Sequence, residues 1–402
     1  MNNMEHQDTL NFILKSAKSL HESGLPTHRL EERMNEVCQT LEIESQFFST
    51  PGSIFASLKI GEVAQSNMIK VTDNEFNIEK IESIENIIQQ VLTKAIDPAS
   101  GITELEHINK LQSRYSKGIT IFFMGISTAA AACVFGGELP AIISALIIGL
   151  GIGSLSLLLR FVPQLDKIYA LLAAIWAVFV SGIFNSYFKD FQLDIATICG
   201  LILLIPGFTF TVSITEMVNN HLIAGLSRFT TAFITFVMLA IGIGIGESFI
   251  YKLDLNKGIH VWNRLPFWKE WIALIFVPLG FVVLFKAKPK DFWWILIGCW
   301  ISYFSFKIGN QFTSNTTAVF LASLLLGLGS NLFSLKTKRN PSVMLVPGMI
   351  LLVPGSLGFL SISKLVESDV VGGIQIALNM LTTSMALVLG IIFSNVLLKI
   401  KN

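Results

Sequence analysis

Charged side chains are scarce in this chain: Asp, Glu, Lys and Arg make up 14% of its 402 residues, where a soluble domain carries about a quarter. With 52% hydrophobic residues, that shortage excludes an ordinary soluble enzyme and makes a membrane protein the default. An excess of either sign is missing too. The net charge is +1 and no basic, aromatic-interleaved stripe occurs, so nucleic acid is not a partner. The four cysteines, Cys38, Cys133, Cys199 and Cys299, show no CxxC or Cys/His ligand spacing. They read as packing residues, with no metal and no cofactor expected. The opening stretch, MNNMEHQDTLNFILKSAKSL, holds no continuous apolar core and no small-residue cleavage site. It does not read as a signal peptide, which leaves the first domain in the cytoplasm.

The charge that is present is unevenly spread. Residues 1–117 hold 11 Lys+Arg and 17 Asp+Glu, leaving 18 and 11 for the other 285 residues. An acidic soluble domain therefore precedes a long hydrophobic one. Helical spacing predicts one helix from Asp8 to Ser23, closed by Gly24-Leu25-Pro26, and a second from Thr27 with Leu30, Met34, Val37, Cys38 and Leu41 as its stripe. IESQFFST, SIFASLKI and NMIKVT alternate or run apolar between turn residues and predict a small β-sheet. NIEKIESIENIIQQVLTKAI predicts an amphipathic helix ended by Asp97-Pro98, and ITELEHINKLQSRYSKG a last helix leading into the membrane.

Beyond Lys117, apolar runs of membrane-spanning length fall near 119–137, 139–159, 168–188, 191–214, 222–250, 270–287, 291–309, 315–335, 341–363 and 370–398. That makes ten spans. Lys and Arg collect in alternate connections (Arg160 with Lys167; Lys286, Lys288 and Lys290; Lys336, Lys338 and Arg339; Lys399 and Lys401), as expected if the amino-terminal domain is inside. The loop from Tyr251 to Lys269 departs a little from this rule, and Trp262, Trp268, Trp271, Trp293 and Trp294 fit interfacial belts.

Two of these runs share an oddity. LIPGFTFTVSI begins at Leu204 and LVPGSLGFLSI at Leu352, an offset of 148, and residues 204–225 agree with 352–373 at seven of 22 positions without a gap. Five spans separate the copies. An odd number of crossings inverts the second copy, the architecture of many secondary transporters. The expected fold is therefore a polytopic α-helical membrane protein: a small α/β cytoplasmic domain (1–117), a first five-helix repeat (118–250), an extracytoplasmic linker (251–269) and a second, inverted five-helix repeat (270–402).

Pro206-Gly207 and Pro354-Gly355 should interrupt spans four and nine, since proline removes a backbone donor and glycine relaxes helical geometry. After the first break, Thr209, Thr211, Ser213 and Thr215 alternate with apolar residues, a period-two pattern of extended chain. Extended backbone at that depth belongs beside a wet cavity. Pro206, Gly207, Thr209, Thr211, Ser213, Pro354, Gly355, Ser356 and Ser361 thus become candidate substrate-binding residues, with restarting helix ends facing an anionic group. A proline kink with hydroxyls bonded back to the preceding turn is the structural alternative. Glu216 could hold a substrate ammonium or a coupling proton, or be a loop carboxylate; its counterpart is Lys364. Arg228 could pair with Glu216 or a lipid phosphate. Asp194 and Lys364 join Glu216 and Arg228 as proton-coupling or charge candidates, with a structural role as the alternative for Asp194 and Asn379, and Gly242, Gly244 and Gly246 read as close helix contacts.

SGLPTHRLEERMNEVCQTLEI, LIPGFTFTVSITEMVNNHLIAGLSR and VPGSLGFLSI together resemble the threonine/serine exporter family over nearly the whole chain. The resemblance implies a cytoplasmic domain followed by two five-helix halves, sometimes split into two polypeptides. It implies export of small hydroxylated amino acids, or of a dicarboxylate such as succinate in the split form, driven by the proton-motive force. The family's His-Arg signature matches His28-Arg29; four residues on, Arg33 stands where the family pattern is described with asparagine. His28, Arg29, Glu31 and Glu32 open a helix, with His28 and Glu32 on one face as a solvated ion pair or as a docking surface. A transporter in a bacterial inner membrane is expected, with substrate, proton and membrane lipid as partners and a homo-oligomer as a candidate assembly. An integral-membrane enzyme or a sensor stands against it; an enzyme would need clustered acid/base or metal residues at one depth.

Overall fold

The structure is a computed structural model that describes residues 3–60, 63–72, 76–159, 161–188, 190–252, 268–366 and 368–398. Arg160, Trp262, His260, Lys399, Lys401 and most of the linker after Lys252 lie outside the described residues.

In the amino-terminal part, Gly24 turns the chain with φ +88°, and Pro26 precedes the next helix. The helices are α1 (Asn3–Glu22), α2 (Thr27–Thr40), α3 (Ile78–Leu92) and α4 (Pro98–Lys110). Between α2 and α3 lie β1 (Glu44–Thr50), β2 (Ser53–Ile60) and β3 (Val63–Lys70), an antiparallel sheet in the order β1-β2-β3. Phe47 and Ile54, Ala56 and Leu58 point from one sheet face into a core with Phe12, Ile13, Leu20, Leu30, Met34, Ile81, Ile84 and Ile88. Two boundaries differ from the sequence reading. α3 stops at Leu92, where Lys94 takes φ +57°, and Asp97 instead caps α4 by accepting the Ser100 amide. The chain also leaves helix after Lys110, and Ser116 caps a fresh helix at Lys117.

The remaining helices are α5 (Lys117–Val134), α6 (Leu139–Leu159), α7 (Pro163–Asp166), α8 (Tyr169–Tyr187), α9 (Leu193–Leu201), α10 (Gly207–Val218), α11 (Leu222–Lys252), α12 (Lys269–Leu284), α13 (Phe292–Phe312), α14 (Asn315–Thr337), α15 (Ser342–Leu352), α16 (Gly355–Val366) and α17 (Val370–Leu397). Among the described residues, eight helical stretches are long and apolar enough to cross a membrane. Two runs fall short: α12 has 16 residues, and five non-helical residues, 202–206, separate α9 from α10, whereas only 353–354 separate α15 from α16, a stretch that still reaches spanning length.

By contacts the chain divides into two units. The first is Met1–Arg114 with Val212–Phe229 and Phe285–Lys288; the second is Tyr115–Thr211, Thr230–Leu284 and Pro289–Asn402. α10 is shared between them, its first residues in the second unit and its last in the first.

Several structural features stand at the offset of 148. α10 and α16 each have 12 residues and start at Gly207 and Gly355, and α11 and α17 start at Leu222 and Val370. Between them Asn220 (φ +66°) and Ser368 (φ +68°) occupy the left-handed region at matched positions. A Cβ on Gly242 would meet the Leu171 carbonyl at 2.6 Å, and one on Gly390 the Phe320 carbonyl at 2.5 Å. Gly246 likewise packs on Val178, but Gly244 faces open space, so two of the three predicted glycine contacts are present.

Candidate functional site

Both Pro-Gly pairs interrupt a helix, and they do so alike. Residues 202–206 and 353–354 lie outside helix. Gly207 N–H donates to the Ile205 carbonyl (2.8 Å) and Gly355 N–H to the Val353 carbonyl (2.9 Å), two tight turns of the same size. Helix then resumes with Phe210 N–H on the Pro206 carbonyl (2.9 Å) and Gly358 N–H on the Pro354 carbonyl (3.4 Å). Proline starts each new helix well because its missing N–H is one the first turn leaves unpaired.

The breaks face each other. A Cβ on Gly207 would lie 2.7 Å from the Gly355 Cα and 2.5 Å from Val353 Cγ1; one on Gly355 would lie 3.0 Å from Ile205 Cγ2 and 3.2 Å from the Gly207 Cα. Backbone thus touches backbone at the point where both helices are interrupted. Phe208 and Val353 pack on a buried apolar cluster of Val319, Ala322, Leu326, Met349, Leu352 and Leu387. The starts of α10 and α16 carry the positive ends of helix dipoles into these surroundings, and the ends of α9 and α15 the negative ends.

The chain after the first break is helix, not the extended strand that the alternating hydroxyls suggest. Thr211 donates its hydroxyl to the Gly207 carbonyl four residues back (3.0 Å), so the residue satisfies itself inside the helix. Ser213 is fully buried. Ser361 donates to the Gly373 carbonyl (2.8 Å), tying α16 to α17. Pro206, Thr209 and Ser356 are half-buried beside the breaks, and Gly207, Pro354 and Gly355 are buried. Asp194 is exposed in the first turn of α9, Lys364 is half-buried in the last turn of α16, and Asn379 is exposed on α17. None of these three reaches the breaks in sequence. Gly200 and Gly348, seven residues before each break glycine, were not singled out by the pattern. They pack against Ile148 and against Leu326 and Ser302, respectively.

A second polar constellation lies within the first unit. Glu216 is wholly buried, and its Oε1 accepts the Thr27 amide (3.1 Å), the Thr27 hydroxyl (2.8 Å) and Arg228 Nε (3.3 Å). Its Oε2 is buried with no hydrogen-bond partner. Glu31, one turn along α2, accepts the Ser49 amide (2.6 Å) and hydroxyl (3.1 Å) and lies 3.5 Å from His221 Nδ1. The His28 and His221 rings sit 6.3 Å apart. Burial, helped by Arg29, His221 and Arg228 nearby, pushes the His28 pKa down to about 3, so the ring is neutral at neutral pH.

His28 therefore does not form the solvated pair with Glu32 that their spacing predicts. Arg29 takes Glu32 instead (3.5 Å), and Arg33 is held by Glu85 (2.9 Å). Of the residues named from sequence, His28, Glu31, Glu216 and Arg228 come together; Thr27, Ser49 and His221 join them unannounced. Among the described residues no three His, Cys, Asp or Glu side chains converge as a metal site.

Comparison with known proteins identifies a family. A model described as "Putative threonine/serine exporter" matches residues 11–250, and one described as "Threonine/Serine exporter, ThrE" matches residues 270–397. The chain belongs to the threonine/serine exporter family. The first model takes in the α/β domain, the first break and the Glu216 cluster; the second takes in the other break. The chain is similar to pheromone-regulated membrane protein 10 of Kluyveromyces lactis (27% identity over 380 residues, 91% of this chain and 39% of that protein). The same-named protein of Eremothecium gossypii is 25% identical over 389 residues, 92% of this chain and 50% of its own. The uncharacterized protein C7D4.12c of Schizosaccharomyces pombe is 25% identical over 386 residues, 91% of this chain and 49% of its own. The chain thus spans half or less of the length of these relatives. No solved structure matches. As a member of this exporter family the chain is a multi-pass membrane protein, and the family is one of transporters rather than enzymes.

Proposed function

We propose that this protein is a secondary exporter of a small amino acid of the threonine/serine type, or of a small carboxylate, coupled to the proton-motive force. The observation that carries the reading is the contact of Gly207 with Gly355, which sets two interrupted helices of a duplicated unit back to back. Interrupted helices meeting near mid-membrane are the usual frame of a transporter binding site. On this reading the substrate carboxylate binds at the resuming ends of α10 and α16, near Pro206, Gly207, Thr209, Pro354, Gly355 and Ser356. Thr211, Ser213 and Ser361 support those ends by their hydrogen bonds and packing.

The reading takes the membrane part as ten spans in two inverted halves, 118–250 and 270–402, joined by a linker at 251–269, with domain 1–117 on the cytoplasmic side of the cell membrane. Support comes from which loops pair. Segments Val212–Phe229 and Phe285–Lys288 fold with the amino-terminal domain in one unit. A ten-span path starting inside puts both on the domain's side. On the opposite side such a path places Glu138, Gln192 and Lys269, and these join: Lys269 lies 3.8 Å from Glu138, whose amide donates to the Gln192 side chain (2.6 Å). Glu216, buried beside Arg228 with one free oxygen, is the candidate for the coupling proton.

Flux into proteoliposomes tests the function directly. Serine, threonine and succinate are offered with and without an imposed pH gradient. Gradient-stimulated flux of at least one substrate, lost in Gly207→Leu, is the expected result. Absence of flux for all three, from protein shown to be folded, would remove the exporter reading.

A further inference from the structure

α2 lacks a side-chain cap of its own, because Pro26 precedes it and offers no donor or acceptor side chain. Its cap arrives from 189 residues downstream: Glu216 accepts both the amide and the hydroxyl of Thr27. A carboxylate at a helix start gains from the unpaired first-turn amides and from the dipole, and bonds to a charged acceptor are roughly twice as strong as neutral ones. Thr27 and Glu216 thus make a strong, wholly buried joint.

Glu216 is the tenth residue of α10, about 14 Å along the axis from the break at Gly207. α10 is one continuous helix, so wherever Glu216 is held, the resuming end at Gly207 is held too. Among the described residues, the matched stretch of the second half does not fold with the amino-terminal domain. Val212–Phe229 folds with the amino-terminal domain, whereas residues 360–377, the matched stretch, belong to the other unit. The helix starts of the two stretches match, and the hold described here falls on the first of them.

We infer that the first turn of α2 is a catch on α10: Thr27 positions Glu216 and so fixes the broken helix, and the catch has to open each time α10 moves. The inference rests on the reading of α10 as a moving part of an exporter. It gives the α/β domain a task, which is to set how often α10 leaves the arrangement seen here. Thr27 is a positioning residue on this view, acting through Glu216. The neighbouring Glu31–His221 contact, with Ser49 behind Glu31, steadies the next turn of α2.

Thr27→Val tests it, since valine keeps the shape and the backbone amide and deletes only the hydroxyl bond. Two readouts are taken on full-length protein in lipid nanodiscs or liposomes. Hydrogen–deuterium exchange across residues 207–218 is expected to rise at least threefold in the variant, with exchange in the sheet (residues 44–70) unchanged. Counterflow exchange of serine, threonine or succinate is expected to rise severalfold per folded molecule. The conservative change, Thr27→Ser, keeps the hydroxyl and should give wild-type values. If exchange increases only in α2 and not in α10, the catch does not reach the broken helix and the inference fails. If α10 loosens but counterflow is unchanged or slower, the joint is a structural cap only. A faster α10 in a protein that carries none of the three substrates would uphold the mechanical link while removing the exporter reading, so the two failures are distinguishable.

Discussion

His28 shows how far a residue's role depends on what folds over it. Its partners come from the far side of the sequence, His221 and Arg228 among them, and burial beside these groups lowers its pKa to about 3 from an ordinary 6.5. Between those values the unfolded chain binds a proton that the folded chain refuses, so this residue's contribution makes stability fall as pH drops below about 6.5. Glu85 pulls the other way, since burial raises its pKa and favours the protonated fold. Replacing His28 by Asn isolates its share. Between about pH 7 and pH 5 the melting temperature of the full-length variant in detergent is expected to fall less than that of the wild type; equal falls would mean that His28 is protonated in the fold. In the sequence the His-Arg pair was visible as a motif, yet its neutral state was not. Helical spacing pairs His28 with Glu32 and carries no information on contacts that bridge nearly two hundred residues.

At the scale of single elements, the breaks in α9–α10 and α15–α16 were legible because proline and glycine act on their own backbone, through a missing donor and a relaxed φ,ψ range. The shape of the chain after the break was not. Alternating threonines read as a strand, but a threonine in a helix can turn its hydroxyl onto the carbonyl four residues back, as Thr211 does, and the helix then tolerates the pattern. The asymmetry of the contact between the breaks leads to an ordering. A methyl group at Gly207 meets the Gly355 backbone at 2.7 Å, closer than real Cβ atoms approach; a methyl group at Gly355 meets its nearest neighbour, a side-chain methyl, at 3.0 Å. Gly207→Ala is therefore expected to destabilise by about 1–3 kcal/mol, in the range of core overpacking, and Gly355→Ala by less. Melting curves of both variants in the same detergent check the order. Equal costs would show that the two backbones sit farther apart.

For the whole molecule, the offset of 148 residues is legible in the sequence because it needs no gap from Leu204 to Gly225, and in the structure several helix starts and the left-handed residues Asn220 and Ser368 stand at the same offset. What a repeat in sequence leaves open is its sense across the bilayer. Leu222 and Val370 test this well. They are exposed first residues of α11 and α17, at matched positions in the two copies. With Cys38, Cys133, Cys199 and Cys299 replaced, Leu222→Cys is expected to react with a membrane-impermeant thiol reagent from the side of the amino-terminal domain. Val370→Cys is expected to react from the other side. Labelling of both from one face would mean that the copies run in the same direction. The division of α10 between two units was invisible from the sequence, because it rests on contacts between residues far apart in the chain, Thr27 with Glu216 among them.

A glycine that faces a glycine cannot be relieved from the opposite side. Most tight contacts can be repaired by trimming the partner, and a genetic screen would recover that repair as a second-site suppressor. Position 355 has nothing left to trim, so suppressors of Gly207→Ala should not arise there. Val353 is the neighbour that can shrink, because its Cγ1 would lie 2.5 Å from the new methyl group. On the proposed exporter reading, a selection for restored export is expected to return Val353→Ala or Val353→Gly, leaving the two glycines as a pair neither of which can change alone.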